Sequence, residues 1–371
     1  MSILMDKKPW GVMALLYKED WEEAKGRLRE WWEDGKGVLI QVISPRKGFE
    51  RRWQAWNGWM FLKEPEPRNV VRAFEEWCKM TFFGDASFPN LWINFGPGIL
   101  GAFLGAPPRF TGDTVWFGAG WNPRLARSLD EILEDLEVDQ SNEWWLRVRE
   151  ATRVAGEMGR DKFIVGMTDI GGVVDVLASL RGSLNLIRDM FTRPKDVEEA
   201  IWRIFELWHW CYDELDRLIP QEGTSAWMGI WCHERWYPVQ CDFAAMLSPK
   251  LFRRFVLPHI REHCRRLDHV IYHLDGPGEL PHVDMLLSID ELDGIQWVPG
   301  AGMEGRGHHC GSLRWLPLYR KIQRHGKRLV IAVPKDSIGT ILRELEPNGV
   351  LVQAYCPSEE EAREIISRYS S

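Results

Sequence analysis

The sequence lacks several features by which whole classes of protein are recognised. It has no excess of positive charge, because 54 Asp and Glu residues outnumber 47 Lys and Arg residues and give a net charge of -7. A nucleic-acid partner needs a concentrated positive surface, so none is expected. No segment approaches 18 uncharged apolar residues, and no long apolar run follows the lysines of the opening MSILMDKKPW. We therefore expect neither a membrane span nor export, and we place the chain in the cytoplasm.

Common disulfide and cofactor signatures are absent as well. The seven cysteines are odd in number, widely spread and without a CxxC pair, a pattern that favours a reduced chain. No apolar run leads into a GxGxxG turn, and the Gly-rich FGPGILGAFLGA at 95–106 lacks a GK[ST] ending. Neither dinucleotide binding nor P-loop chemistry is therefore predicted. No Pro/Ser linker or short-period repeat divides the chain.

Tryptophan is what the sequence has in quantity, with 21 copies. Many stand beside Gly or Pro rather than at helical core spacing, as Trp59 and Trp121 do. Such residues either line a ligand pocket or fill a large core, since Trp buries well wherever its N–H finds a partner. The sequence leaves both alternatives open.

Apolar, β-rich runs alternate with helical patterns along the chain. The runs are 38–43, 91–95, 163–168, 225–230, 270–273, 295–298, 329–333 and 350–355, and amphipathic helices are predicted at 197–218 and 249–267. Repeated βα units of this kind predict an α/β protein, with a closed (β/α)8 TIM barrel as its natural architecture. The pattern of residues 20–34 predicts a further helix. We expect an N-terminal helical extension at 1–36 that caps the barrel bottom, and the barrel at 37–371.

Polar residues just past strand ends line the active site of such a barrel, because the βα loops converge there. The leading candidates are His273 and Asp275 in YHLDGPG at 272–278, which period-two alternation points the same way. The pair either ligates a metal, works as general acid and base, or only supports the loop. Cys356, after the last run, is the third expected zinc ligand, with a small buried hydrophobe as its alternative role. Spare metal candidates are Cys241, His308, His309 and Cys310.

Other loops offer groups for substrate. The segment WCHERWYPVQCDF at 231–243 is expected to follow the fourth strand and to wall a flat or apolar ligand. The basic loop SPRKGFERR after the first strand either clamps an acidic substrate or is a solvated charged loop. The expected substrate-binding residues are Arg46, Arg51, Trp231, His233, Trp236, Tyr237, Asp169, Gln296 and Trp297, and the expected catalytic residues are His273, Asp275, Asp242 and Glu234.

From about residue 31 to its C-terminus the chain resembles the uroporphyrinogen decarboxylase superfamily. The likeness is carried by TDIGGVVDVLASLRG at 168–182, DFAAMLSPKLFRRFVLP at 242–258, YHLDGPG, and IQWVPGAG at 295–302. The resemblance implies a barrel with one of two chemistries. These are cofactor-free decarboxylation of uroporphyrinogen and zinc-dependent methyl transfer between methylated substrates, corrinoids and thiols or folates. Fold alone does not choose between them.

Departures from the decarboxylase pattern favour the methyltransferase branch. Decarboxylases carry RQAGR after the first strand, an aspartate after the second and a late histidine, whereas this chain has PRKGFERR, INFGPG and AYCPS. The methyltransferases bind zinc through His-x-Cys and a second cysteine after the last strand. His273 and Cys356 match these positions, and Asp275 replaces the first cysteine. An oxygen ligand makes a harder, more Lewis-acidic site.

We therefore expect a zinc-assisted methyltransferase that moves a methyl group from an O- or N-methylated small molecule to a corrinoid or a folate. The Trp content favours an aromatic substrate. The expected partners are that small molecule, a corrinoid protein and a second copy of the chain in a homodimer. Two alternatives stay open: a cofactor-independent decarboxylase of a tetrapyrrole or other carboxylated substrate, and a non-catalytic barrel that binds a tetrapyrrole or corrinoid.

Overall fold

A computed structural model describes residues 15–300 and 308–370. The first part of the expected extension, residues 1–14, lies outside the described residues. The helices and strands are α1 (Trp21–Asp34), β1 (Val38–Pro45), α2 (Met60–Lys63), α3 (Pro67–Lys79), β2 (Thr81–Asp85), β3 (Asn90–Trp92), α4 (Leu100–Phe103), β4 (Pro108–Phe110), β5 (Val115–Phe117), α5 (Leu129–Glu134), α6 (Glu143–Gly159), β6 (Ile164–Gly166), α7 (Val173–Arg181), α8 (Ser183–Thr192), α9 (Pro194–Asp216), β7 (Thr224–Ser225), β8 (Trp231–Cys232), β9 (Trp236–Gln240), α10 (Pro249–Phe255), α11 (Leu257–Arg266), β10 (His269–Asp275), α12 (Val283–Leu287), β11 (Gly294–Val298), α13 (Leu316–Arg324), β12 (Arg328–Ala332), α14 (Ile338–Leu342), β13 (Val350–Tyr355) and α15 (Glu359–Tyr369).

Most of the long strands form one sheet, in the order β2–β1–β13–β12–β11–β10–β9. Each neighbouring pair from β1 to β9 is parallel, and only β2, at the edge, runs antiparallel to β1. The strands are buried along most of their length, as is typical of parallel sheets, whose two faces are both covered. The carboxyl ends of six strands therefore meet at one edge. The expected α/β class is confirmed.

The remaining section of the expected ring is a shorter pair of strands. β3 pairs in parallel with β6, and Met167 makes an isolated parallel bridge to Ala226. In the described parts of the chain, no β-ladder joins this pair to the seven-stranded sheet. Instead, the Tyr237 hydroxyl in β9 donates to the carbonyl of Thr168 and accepts from the N–H of Ile170, both at 2.8 Å. The strands of the expected ring are thus present as two hydrogen-bonded sections.

The fourth strand lies later in the chain than its pattern predicts. Residues 225–230 are not a strand of the seven-stranded sheet, because β7 and β8 pair with each other as a short antiparallel hairpin and Ala226 adds an isolated bridge to Met167. Gly223 and Gly229, with φ of 69° and 70°, provide left-handed backbone near its two ends. The strand that joins the sheet is β9, whose five side chains are all buried. Residues 231–235 therefore precede this strand instead of following it.

Two of the three predicted helices are single helices in the structure. The pattern at 20–34 corresponds to α1, and that at 197–218 to α9. The one predicted at 249–267 is divided into α10 and α11, with Pro258 in the first turn of the second helix, because proline cannot continue the helical hydrogen bonds. None of the described helices combines the length and the apolar character needed to cross a membrane. All seven cysteines are buried thiols.

Helix α1 covers the amino-terminal ends of the strands. The ring of Trp32 meets Trp236, at the start of β9, and His269, at the start of β10, with centroids 5.3 and 4.9 Å apart. Its indole N–H donates to the carbonyl of Trp231 at 2.9 Å. Arg328, the first residue of β12, donates to two carbonyl oxygens in the last turn of α1, which satisfies helix-end acceptors. This face lies opposite the carboxyl ends of the strands.

The substitution Trp32→Ala tests this arrangement. It removes a side chain that is 1% exposed and should lower the free energy of unfolding by about 3–5 kcal/mol, the usual range for Trp truncation in a core. Urea denaturation measures the change. Trp116→Ala is the matched control, because Trp116 is 51% exposed and its removal should cost less than about 1 kcal/mol. Equal, small losses in both variants would contradict the capping role of α1.

Three buried histidines pack between α9 and α11. The ring of His263 lies 5.0 Å from that of His209 and 6.0 Å from that of His259, centroid to centroid. Within the described chain, neither ring nitrogen of His259 has a hydrogen-bond partner. Burial lowers the pKa of His259 and of His209 to about 3, and that of His263 well below its usual value. The folded protein therefore holds these rings neutral.

This cluster predicts acid sensitivity. The unfolded chain protonates His259 below pH ~6.5, whereas the folded protein does not until about pH 3. Unfolding thus takes up a proton in this window, and the free energy of unfolding falls as pH falls. His259→Leu should flatten the slope between pH 7 and 5 by up to about 1.4 kcal/mol per pH unit. Denaturation at several pH values measures it, and an unchanged slope would refute it. Ile260→Val, on the same helix, should cost about 1 kcal/mol at every pH.

Candidate functional site

Three metal-capable side chains converge at the carboxyl ends of β9 and β10. Asp242 follows β9, and His273 and Asp275 lie on β10, two residues apart and so on the same face. One ligand atom of each lies within 4.8 Å of those of the other two, and this is the one such group of three or more His, Cys, Asp or Glu among the residues described. We call Asp242, His273 and Asp275 the acidic centre.

The imidazole of His273 is oriented by two neighbours. Its Nδ1 lies 2.6 Å from Oε1 of Gln296, its register partner on β11. Because an amide oxygen can only accept, this contact places the proton on Nδ1 and leaves the lone pair of Nε2 for a metal. The ring of Trp227 meets the imidazole edge-on at 5.1 Å. Gln296, which was expected to bind substrate, contacts the imidazole of His273.

Further carboxyl groups fix the backbone that carries the acidic centre. Asp175, in the first turn of α7, accepts from the N–H groups of Asp242 at 3.2 Å and Phe243 at 2.7 Å. Glu279 accepts from the N–H of Asp275 at 3.1 Å and from the Tyr272 hydroxyl at 2.8 Å. Each of these carboxyls therefore holds the main chain at one of the two aspartates.

Crowding raises the pKa of several of these carboxyls. Burial and the charge of Asp242 raise the pKa of Asp169 to about 7 and also raise that of Asp175. Burial raises the pKa of Glu279 to about 9, although the hydrogen bond from Tyr272 opposes the shift. At Asp242, surrounding protein and the charge of Asp275 raise the pKa, while His273 lowers it. A cation bound at this point would favour the ionised forms of these carboxyls.

A glycine allows the approach of Asp175. A Cβ atom at Gly172 would collide with the carbonyl oxygen of Gln240, at the end of β9, and with Oδ2 of Asp175. Only glycine therefore fits at position 172, where the loop that follows β6 passes close to the end of β9. Asp169, expected to bind substrate, lies in this loop and accepts from the N–H of Gly171 at 2.9 Å.

Cysteine does not take part in the acidic centre. The structure brings Asp242, and not Cys356, to His273 and Asp275. Cys356 is buried after β13, and burial raises the pKa of its thiol to about 11, so it has the character of a small hydrophobic residue. Among the spare candidates, Cys241 is buried with a raised thiol pKa, Cys310 donates to the carbonyl of Trp297 at 3.2 Å, and His308 faces Arg314.

The expected placement of residues 231–236 beside the acidic centre is wrong. His233 lies 3.3 Å from Glu33 of α1, and Glu234 lies 3.3 Å from His269 at the start of β10. Trp231 and Trp236 are fully buried and contact Trp residues of α1. The reason is that β9 begins at Trp236, so these four residues lie at the amino-terminal ends of the strands. They lie on the face opposite the acidic centre.

Most of the other expected substrate residues have structural partners. Arg46 lies at the carboxyl end of β1, but its guanidinium donates to the carbonyl of Thr81 and pairs with Glu19, both at 3.0 Å. Trp297 is fully buried and packs on Trp315 at 4.7 Å, and Tyr237 joins β9 to the loop after β6. Arg51 is exposed.

A cavity of about 780 Å³ opens beside the carboxyl ends of β1, β12 and β13. We call it the aromatic cavity, because four Trp residues and four other aromatic residues line it: Trp56, Trp77, Trp92, Trp227, Phe74, Phe83, Phe88 and Tyr355. Trp227 belongs to both features, since it also meets His273. His309, a spare metal candidate, lines this cavity instead. The sequence left open whether Trp residues such as Trp56 and Trp92 line a pocket or fill the core, and its patterns did not indicate Glu279.

Comparison with known proteins finds a similar structure but no similar sequence. No protein-family profile matches the sequence, and no curated protein does. The structure is similar to a solved methyltransferase from Methanosarcina mazei, with a TM-score of 0.58 and 14% identity. The match covers 94% of this chain and 98% of that one. The two proteins therefore share a fold over nearly their whole length.

Removal of the Tyr237 hydroxyl should loosen the loop after β6. Tyr237→Phe leaves the carbonyl of Thr168 and the N–H of Ile170 without this buried partner, a loss worth about 1–3 kcal/mol. Hydrogen–deuterium exchange should show residues 168–171 opening about tenfold faster or more, with β10 and β11 unchanged. Tyr355→Phe is the control, because Tyr355 is 61% exposed. Unaltered exchange in Tyr237→Phe would show that other contacts hold this loop.

Proposed function

We propose that the protein is a metal-dependent methyltransferase on a closed (β/α)8 barrel, with its metal bound by the acidic centre. The observation that carries the proposal is the convergence of Asp242, His273 and Asp275 within 4.8 Å at the carboxyl ends of two adjacent strands. Catalytic groups of parallel barrels occur at these ends. The shared fold with a methyltransferase supports the reaction class.

The residues fit a catalytic metal. Three protein ligands leave coordination positions for substrate, as catalytic sites require. One imidazole nitrogen and two carboxylate oxygens form a harder set than thiolates, compatible with zinc and also with manganese or iron. We propose zinc. Gln296 fixes the imidazole, while Asp175 and Glu279 hold the backbone at Asp242 and Asp275.

The proposed reaction moves a methyl group from an O- or N-methylated small molecule to a corrinoid or folate, the corrinoid being presented by a partner protein. The carbon–oxygen or carbon–nitrogen bond of the substrate breaks, and the bonding pair remains on the heteroatom. The acceptor supplies the pair for the new bond to carbon. A bound metal would act as a Lewis acid toward the departing heteroatom. The protein positions that heteroatom at the edge of β9 and β10.

The decarboxylase alternative has less support from the described residues. A tetrapyrrole with several carboxylates needs basic side chains, and arginine is the residue best suited to them. No Lys or Arg is among the described residues that line the aromatic cavity. Arg46, the best-placed base in the sequence, is paired with Glu19. Methyl transfer therefore remains the function we propose.

Metal analysis tests the acidic centre. Anaerobically purified protein, loaded with zinc and desalted, should retain about one ion per chain. Asp242→Asn, His273→Ala and Asp275→Asn should each lose most of it. Gln296→Leu should weaken zinc affinity roughly 10 to 100-fold, because the imidazole loses its orienting partner. Cys356→Ala is the matched control and should keep its metal. Wild-type protein that retains neither zinc, manganese nor iron would overturn the assignment.

The reaction can be followed separately. Metal-loaded protein, mixed anaerobically with an O-methyl compound and cob(I)alamin, should form methylcobalamin detectable by chromatography, and His273→Ala should not. Conversion of uroporphyrinogen to coproporphyrinogen by the metal-free protein would instead support the decarboxylase alternative.

A further inference from the structure

We propose that the aromatic cavity binds an uncharged, planar aromatic compound that carries oxygen acceptors, of the methoxybenzene class. That this compound is the methyl donor rests on the proposed function, whereas its binding does not. The cavity's volume of about 780 Å³ lies in the range of roughly 300–1,000 Å³ typical of small-molecule sites.

The walls of the cavity are held in place by one another. Trp77 stacks on Phe74 at 5.5 Å and meets Phe83 edge-on at 5.6 Å. Trp56 meets Phe74 edge-on at 5.1 Å. Such pairs stabilise fixed ring orientations. A flat ring entering the cavity would thus meet preformed aromatic surfaces, which give large contact area at little cost in side-chain entropy.

The scarcity of charged side chains in the cavity restricts the ligands that it can bind. No Asp, Glu, Lys or Arg is found among the described residues lining the cavity. The imidazole of His309 is the one basic group among the described lining residues. An ammonium group buried there would lose its hydration without gaining an ionic partner, and a carboxylate would have only this imidazole to pair with, which is costly. Aromatic faces do attract cations, so a quaternary ammonium compound is the main competitor of a neutral ring.

Unused hydrogen-bond donors favour the neutral oxygen compound over that competitor. The indole N–H of Trp92 and the hydroxyl of Ser87 are buried and have no partner within the described chain, and both residues line the cavity. An indole N–H can only donate. Ether, phenol or carbonyl oxygens would satisfy it, whereas a quaternary ammonium group offers no acceptor.

The segment 226–229 lies between the cavity and the acidic centre, because its residue Trp227 lines the cavity and contacts His273. Residues 226–229 carry Trp227, and side-chain amides from three strands hold their carbonyls: Gln41 binds Gly229 at 3.0 Å, Gln353 binds Met228 at 2.9 Å, and Asn90 binds Ala226 at 3.1 Å. A ring in the cavity would therefore lie against the indole of Trp227, whose ring centroid is 5.1 Å from that of His273.

Calorimetric titration with four probes tests the proposal on protein treated with chelator and on zinc-loaded protein. The probes are 1,2-dimethoxybenzene, 3,4-dimethoxybenzoate, methoxycyclohexane and tetramethylammonium. We expect saturable binding of dimethoxybenzene in both forms. The anion, the non-aromatic ether and the cation should each bind at least about tenfold more weakly, because each lacks one of the recognised features. Tighter binding of tetramethylammonium, or no binding of dimethoxybenzene, would overturn the proposal.

Three variants complete the test. Trp77→Leu removes a wall and should weaken binding of dimethoxybenzene about tenfold or more. Trp92→Phe keeps a ring but removes the donor, and should weaken it about three- to tenfold. Trp116→Ala, outside the cavity, should bind like wild type. Thermal unfolding verifies that each variant folds, and metal content should stay unchanged in all three. Binding without metal retention would refute only the proposed function, whereas metal retention without this binding would refute only the present inference.

Discussion

His273 pairs with Gln240 on β9 and with Gln296 on β11, and this register decides which side chains meet at the carboxyl ends of the sheet. A shift of one residue would turn His273 and Asp275 toward the opposite face, because strand side chains alternate. The same pairing places Gln296 against the imidazole and puts Asp242 just past the neighbouring strand end. The positions of His273, Gln296 and Asp242 relative to one another are thus set by the alignment of β9, β10 and β11.

The carboxyl groups that this alignment brings together are surrounded by hydrogen bonds to the main chain. Asp175 accepts hydrogen bonds from the N–H groups of Asp242 and Phe243, and Glu279 accepts one from the N–H of Asp275. Both carboxyls therefore stabilise the main chain of the acidic centre. Burial favours their protonated forms at neutral pH, which limits repulsion within the cluster. One carboxyl oxygen of Asp242 and one of Asp275 lie within 4.8 Å of a ring nitrogen of His273, close enough to share one cation.

Local patterns in the sequence were sufficient for much of this arrangement. Period-two alternation places His273 and Asp275 together, and the helix over 20–34 follows from its amphipathic spacing. The error at the fourth strand arose because both SAWMGI and WYPVQ have strand-like composition, and only long-range pairing with β10 selects the second. That single shift moved Trp231, His233 and Glu234 to the opposite face. Cys356 matched a family position, but its burial depends on contacts distant in sequence.

Tryptophan fulfils both of the roles that composition left open. Trp21, Trp31 and Trp32 are fully buried around α1, whereas Trp56, Trp77 and Trp92 line a cavity. The segment 226–229 contributes the indole of Trp227, which lines the cavity and also contacts His273. Its carbonyl groups accept hydrogen bonds from Gln41, Gln353 and Asn90, which lie on strands other than β9 and β10. Under the proposed function, selectivity and reactivity are encoded in separate stretches of the chain. Descendants of this protein, natural or engineered, would then acquire new substrates by remodelling the cavity while the acidic centre stays unchanged.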